Sequence, residues 1–271
     1  MKRREFLAAS CAAGLAPLSQ LAQAAPADAP AGSPSDKQIL ELRVYRLTSE
    51  DQRKRLDEFL GKVEIPALNR LGITPVGVLA PLPSDPKEGK KQDLYVLLTH
   101  KTAESVVSLP ARLAADEKYN KDGQAFLSLP VSDPPYDRIE SSLLLSFDGC
   151  PKVEVPEKKD TRVYQLRIYE SYCARKALKK IEMFNTGGEM ALFRKLGMAP
   201  VFFGQAIVSS RLPHLSYMLT FPDADTQKAC WAKFQAAPEW EKLKADPAYA
   251  DTVIGPKITN IEMGAMPSSQ I

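Results

Sequence analysis

Leu42-Arg43-Val44-Tyr45 returns as Leu166-Arg167-Ile168-Tyr169, and this recurrence decides the fold. The offset is 124 residues for this block (166 − 42) and 125 for the glycines of a second block (197 − 72). In that second block Ala67–Val76, with Arg70-Leu71-Gly72 and Pro75, reappears as Leu192–Val201, with Lys195-Leu196-Gly197 and Pro200. Asp93–Thr99 then matches His214–Thr220, and apolar runs at 138–147 and 257–263 close the two copies. Four blocks in one order, the first two at nearly the same offset, mark a duplication.

Each copy reads β-α-β-β-α-β. The first strand alternates, with Leu42 and Val44 opposite Arg43 and Tyr45, and Leu166 and Ile168 opposite Arg167 and Tyr169. A helix follows in each copy. Its apolar face is predicted to be Leu56, Phe59, Leu60, Val63 and Ala67 in the first, and Ala174, Ala177, Leu178, Ile181 and Phe184 in the second. Gly187-Gly188 interrupts the second of these helices, which resumes from Met190 to Leu196. Gly72 and Gly197 stand where helix C-terminal caps belong, with prolines just beyond. In copy two a further helix is predicted after Asp223 or Asp225, and a short one opens at Pro238-Glu239-Trp240. This order is the ferredoxin-like unit, with helices on one sheet face and the other face bare. The fold class is therefore α+β: two tandem ferredoxin-like domains pairing as a dimeric α+β barrel within one chain. The expected boundaries are 37–150 and 161–266, joined by a linker at 151–160.

The chain starts Met-Lys-Arg-Arg-Glu-Phe-Leu, followed by a weakly apolar run and Ala22-Gln23-Ala24. Residues 1–24 thus read as a twin-arginine signal peptide cleaved before Ala25, too short and too weakly apolar to span a membrane. Residues 25–36 read as an Ala/Pro-rich tether. The expected location is the periplasm or another place outside the cytoplasm. The chain carries +3 in all. Lys2, Arg3, Arg4 and Glu5 hold a net +2 of that, so the mature protein is near neutral. This excludes a nucleic-acid partner and a strongly anionic surface as partner. A small-molecule ligand and self-association are the partners left open. Without Cys11, three cysteines remain, Cys150, Cys173 and Cys230, spaced for neither a disulfide scaffold nor zinc.

Copy two carries YQLRIYES at 164–171, FNTGGEMALFRKLGMAPVFFG at 184–204, LPHLSYMLTF at 212–221 and AAPEWEKL at 236–243. Together these resemble the NIPSNAP family, a branch of the dimeric α+β barrel group. Copy one looks like a diverged relative lacking the Gly-Gly pair and the Pro-Glu-Trp block. The resemblance implies the fold. It implies no catalytic residues, because members of the family have no agreed ones. Other barrels of the group oxidise quinols, degrade haem or bind small ligands.

Catalytic signatures such as His-Glu-x-x-His, Gly-x-Ser-x-Gly and the phosphate-binding glycine loops are absent. The candidate ligand-binding residues are Arg43, Tyr45, Arg167, Tyr169, Asn185, Glu189 and His214. If the apolar strand face packs the helices, the two Arg-Tyr pairs point into the barrel, where each arginine needs an anionic ligand or a carboxylate such as Glu262. Asn185 and Glu189 flank the helix break, where backbone amides become free to bind. His214 and His100 are the only histidines. They exclude a multi-histidine metal site, and their places at strand ends suggest surface positions. Trp231, Phe234 and Trp240 read as a packing group. Two functions follow: a module binding a small ligand or a protein, or an oxidoreductase or monooxygenase-like enzyme using the barrel interior. No cofactor is specified.

Overall fold

The computed structural model describes residues 36–83 and 92–271. The expected leader and all but the last residue of the tether lie outside them. The first half runs β1 (Ile39–Arg46), α1 (Glu50–Phe59), α2 (Ile65–Arg70), β2 (Gly77–Pro81), β3 (Leu94–His100), α3 (Ala103–Ala114), α4 (Glu117–Leu127) and β4 (Arg138–Ser146). The second runs β5 (Val163–Glu170), α5 (Ala174–Asn185), α6 (Glu189–Lys195), β6 (Ala199–Val208), β7 (His214–Phe221), α7 (Ala224–Ala236), α8 (Pro238–Ala245) and β8 (Ile258–Ala265).

The eight strands close into one barrel in the order β1-β3-β2-β8-β5-β7-β6-β4. Each half supplies a ferredoxin-like sheet, 4-1-3-2 and 8-5-7-6. Two antiparallel seams join them: β2 to β8, with Leu79 opposite Ala265, and β4 to β6, with Ser146 opposite Gly204. Closure removes the bare edges that each sheet would otherwise present.

The strands bury both faces. Leu40, Leu42, Leu79, Tyr95, Leu97, Leu144, Leu166, Ile168, Phe202 and Met218 fill the barrel. The alternate residues pack the helices: Tyr45, Val78, Val96 and Leu98 with Leu56 and Phe59 in the first half, and Tyr169, Phe203, Tyr217 and Leu219 with Phe184 and Phe193 in the second. This overturns the expected orientation. Arg43, Tyr45, Arg167 and Tyr169 face the helix layers, not the barrel interior. The interior of an eight-stranded barrel is a narrow column, filled by side chains or with room for one small molecule. The helix side offers carboxylates, aromatic rings and access to water, so an arginine costs less there.

Gly204 shows how tight the seam is. A Cβ there would lie 2.7 Å from Leu144 Cβ. Gly204→Val is expected to destabilise the protein by about 1–3 kcal/mol through overpacking, read as a lower Tm.

The helices depart from the expected pattern at two places. In α5 the buried face is Ala177, Lys180, Met183 and Phe184. Leu178, predicted to be buried, is 54 % exposed. The lysine disguised the face, because a buried Lys is tolerated only with a partner, and its partner Glu189 lies on α6. In the first half α4, capped by Asp116 accepting from Tyr119 N, takes the place that α8 holds in the second without its Pro-Glu-Trp sequence.

The breaks between the paired helices differ in construction. A π-helical turn, Leu60–Glu64, joins α1 to α2. At the corresponding place Gly188 sits at φ 93°, in the left-handed region. Gly187 packs so closely that a Cβ would meet Met183 O at 2.5 Å. Gly72 and Gly197 end α2 and α6 at φ 81° and 79°, as their cap positions predicted.

Residues from the expected linker hydrogen-bond to both halves: Gln38 N donates to Pro151 O, and Glu154 N to Val201 O, each at 2.9 Å. Residues 266–271 run beside β2, where Val76 N donates to Gln270 Oε1 at 2.8 Å, and Ile271 joins the barrel core. Cys150 and Cys230 are buried and Cys173 half-buried, all as free thiols. Burial pushes the Cys150 thiol up to about 12, which keeps it from ionising near neutrality. Among the described residues no helix is long and apolar enough to cross a membrane.

Candidate functional site

Each half places an Arg-Tyr-Glu set between sheet and helices. On β1, Arg43 and Tyr45 face Glu64 at the π-helical turn. On β5, Arg167 and Tyr169 face Glu189 at the glycine break. The sequence reading found Glu189 and missed Glu64, although the glycine offset of 125 carries one onto the other (189 − 64).

The two sets are wired differently. Arg43 Nε and Nη2 grip Glu41 at 2.7 and 3.0 Å, and its Nη1 lies 3.6 Å from Glu64. Burial works to raise the Glu41 carboxyl, but hydrogen bonds with His100 and Arg43 outweigh it and bring the pKa down to about 2. The stabilisation this represents is complete above the ordinary carboxylate range and is lost as pH falls through about 2. Glu64 shifts the other way, because burial raises it more than Arg43 lowers it. Leu109, Leu113, Tyr119 and Phe126 roof a remaining cavity of about 190 Å³. This set is closed and charge-satisfied.

In the second half the residue matching Glu41 is Gln165. It cannot neutralise an arginine. Its carbonyl instead accepts from Trp231 Nε1 at 2.7 Å, and its amide donates to Asn260 at 2.8 Å. Trp231 is thereby held against Arg167, whose guanidinium lies 4.7 Å from the indole and 5.2 Å from the Tyr169 ring. No carboxylate forms an ion pair with Arg167 among the described residues, and its Nε is buried without a hydrogen-bond partner. The expected carboxylate, Glu262, lies opposite Gln165 in the β5–β8 register. Burial opposes the charge on Arg167, but Tyr217, Tyr169 and Glu189 outweigh it and raise the pKa.

Glu189 is engaged elsewhere. Lys180 Nζ donates to Glu189 Oε2 at 2.6 Å, and both side chains are buried. The pocket that contains these groups has a volume of about 330 Å³, with Tyr169, Trp231, Trp240 and Tyr249 among its walls. Trp240 Nε1 is a second buried donor without a partner. Tyr169 and Tyr217 hydrogen-bond through their hydroxyls at 3.0 Å, and burial raises both phenol pKa values. Lys244 and the exposed Asp251 also line the pocket. With Glu189 matched to Lys180 and Lys244 to Glu241 at 2.8 Å, Arg167 is the cation there without an ion pair among the described residues. The arrangement suits a planar anion: one guanidinium with an unused donor, flat aromatic walls and a second donor at Trp240. The tryptophans expected only to pack the core therefore also build the pocket.

The remaining predicted residues lie apart. Asn185 Oδ1 accepts from Gly149 N at 3.0 Å and so ties the 148–150 turn to α5. His214 is 3 % exposed and His100 fully buried, contrary to their expected surface positions. Both lie where strands pass beneath loops: His100 Nδ1 meets Ser105 Oγ at 3.0 Å while its Nε2 faces Glu41 Oε2 at 3.4 Å, and His214 Nε2 meets Ser209 Oγ at 2.9 Å. Among the described residues no group of three His, Cys, Asp or Glu is placed to hold a metal ion.

Neither a family model nor a curated protein matches the chain's sequence. Solved structures do match. A provisionally named monooxygenase from Fusobacterium nucleatum subsp. nucleatum superposes with a TM-score of 0.55 at 10 % identity, over 84 % of this chain and 92 % of that one. One so named from Lactobacillus acidophilus gives a TM-score of 0.55 at 10 % identity over 84 % and 94 %. The fold is a dimeric α+β barrel closed within one chain. An uncharacterized NIPSNAP-like domain protein from Burkholderia xenovorans matches over 41 % of this chain and 91 % of its own, at 16 % identity and a TM-score of 0.36. At these identities the likeness concerns the fold alone.

Proposed function

We propose that this protein is an exported, NIPSNAP-like barrel that binds a small anionic ligand in the second-half pocket. The ligand class is an arene or similarly flat apolar carboxylate. Its charge meets Arg167 and its body lies between Trp231, Tyr169 and Trp240. One observation carries the reading: Arg43 is clamped by Glu41, whereas Arg167, with Gln165 in the equivalent place, keeps a buried donor unused. The family assignment rests on the copy-two motifs, and export to the periplasm rests on the twin-arginine leader.

A second reading places oxidoreductase or monooxygenase chemistry in the same pocket. The hydrogen-bonded Tyr169–Tyr217 pair beside two tryptophans favours it. It requires turnover of a bound arene, and the binding reading does not.

Trp231 and Trp240 are the chain's two tryptophans, so intrinsic fluorescence reports on this pocket. Titration with 4-ethylbenzoate is expected to give a saturable change that weakens as salt rises, while neutral 4-ethylphenol leaves the emission unchanged. Absence of saturation, or an equal response to the neutral compound, would overturn the assignment.

A further inference from the structure

The barrel has a second cavity, on its axis and away from the helices. Four antiparallel steps separate β1 from β5, so these two strands run the same way and end at the same mouth. There the interior opens into a space of about 400 Å³. Its floor is apolar: Leu42, Tyr95, Ile168 and Ile261. Leu42 and Tyr95 come from the first half and Ile168 and Ile261 from the second, so the cavity exists only once both copies are joined.

The wall is built of uncharged hydrogen-bonding groups. Ser142 Oγ donates to Ser209 Oγ at 3.3 Å. Ser209 Oγ meets His214 Nε2 at 2.9 Å, and Ser216 Oγ meets His214 Nδ1 at 3.4 Å. Burial lowers the His214 pKa, which keeps the ring neutral near pH 7. This chain crosses the seam between β4 and the β6–β7 turn, again using both halves.

The cations at the rim are already matched. Arg46 pairs with Asp93 and with Glu140, the latter at 2.8 Å. Arg211 lies 3.9 Å from Glu170 and donates to Thr259 at 3.3 Å. No positive charge is left over for an anionic ligand, in contrast with Arg167. We propose that the axial cavity binds a small uncharged molecule, with an apolar body on the Leu42–Ile168–Ile261 floor and a hydroxyl or carbonyl group on the Ser142–Ser209–His214 wall. A cavity of this size, apolar with a few convergent polar groups, has the make-up of a small-molecule site.

The test uses 4-ethylphenol as probe and ligand-observed NMR as readout, on the whole protein. The unaltered chain is expected to bind it saturably. Ser142→Phe, which fills the half-buried mouth, is expected to weaken binding by about tenfold or more. His214→Gln, a smaller change, is expected to weaken it in the same direction, and thermal melts check that both variants fold. Gln165→Glu, which alters only the helix-side pocket, is expected to leave 4-ethylphenol binding unchanged. The proposal is overturned if the unaltered chain shows no saturable binding, or if folded Ser142→Phe binds like it. It is also overturned if 4-ethylbenzoate enters the cavity as well as the phenol does when tested in the Gln165→Glu variant.

Discussion

Gln165→Glu is expected to weaken 4-ethylbenzoate binding by about ten- to a hundredfold, or ~1.4–2.8 kcal/mol, measured by calorimetric titration. The substitution is nearly isosteric and leaves an acceptor for Trp231 Nε1. It puts a carboxylate beside Arg167 as Glu41 stands beside Arg43, where two hydrogen bonds of 2.7 and 3.0 Å occupy the guanidinium. The donor to Asn260 Oδ1 is lost, and a turn of the Asn260 amide, which then donates to the carboxylate, restores that bond. A ligand carboxylate would have to displace an internal, bidentate one that has no translational entropy to lose. The reciprocal change, Glu41→Gln, is expected to give no ligand binding in the first half. The cavity there is about 190 Å³ and roofed by apolar side chains, so freeing Arg43 costs stability without making room. If Gln165→Glu bound the probe as tightly as the unaltered chain, Arg167 would not be the group that recognises the anion.

The second large effect concerns stability. Glu189→Ala is expected to cost about 3–5 kcal/mol, because it leaves the Lys180 ammonium buried without its carboxylate. Lys180 is 4 % exposed and Glu189 2 %. The Phe184 ring 4.5 Å from Lys180 Nζ offers some attraction but no hydrogen-bond acceptor. Replacing both partners, as Lys180→Met with Glu189→Leu, is expected to recover most of the loss, since two apolar groups need no compensation. Urea unfolding of the two single variants and the double variant measures the coupling. Near-additive losses would show that water reaches the pair and that its burial is not what makes it costly to break.

Much of the site was legible once the two copies were compared. Arg167 and Tyr169 come from one motif and Glu189 from another, and the structure gathers the three around one pocket. Applied once more, the offsets of 125 and 124 residues would have led from Glu189 to Glu64 and from Glu41 to Gln165, where the charge differs. Other features could not be read. Lys180 faces inward only because a residue nine positions later neutralises it, and helical periodicity treats any lysine as an outward mark. His214 falls under the Ser209 turn and the β4 seam, and nothing in its neighbourhood along the chain shows that cover.

What the sequence determined by itself is the recurring motif order, the β-α-β-β-α-β order of each half, the glycine-capped helix ends, and the fact that Arg and Tyr of each first strand share one face. These are local properties or comparisons at a fixed offset, set by backbone geometry and strand alternation. Only the tertiary structure decided which face turned inward. Both faces of β1 and β5 carry residues that bury well, so alternation is symmetric between the two outcomes. The choice falls to the closed barrel, whose narrow and largely apolar interior accepts Leu42 and Ile168 and sends Arg43 and Arg167 to the helices. There a carboxylate silences one arginine, and the lack of one leaves the other to bind.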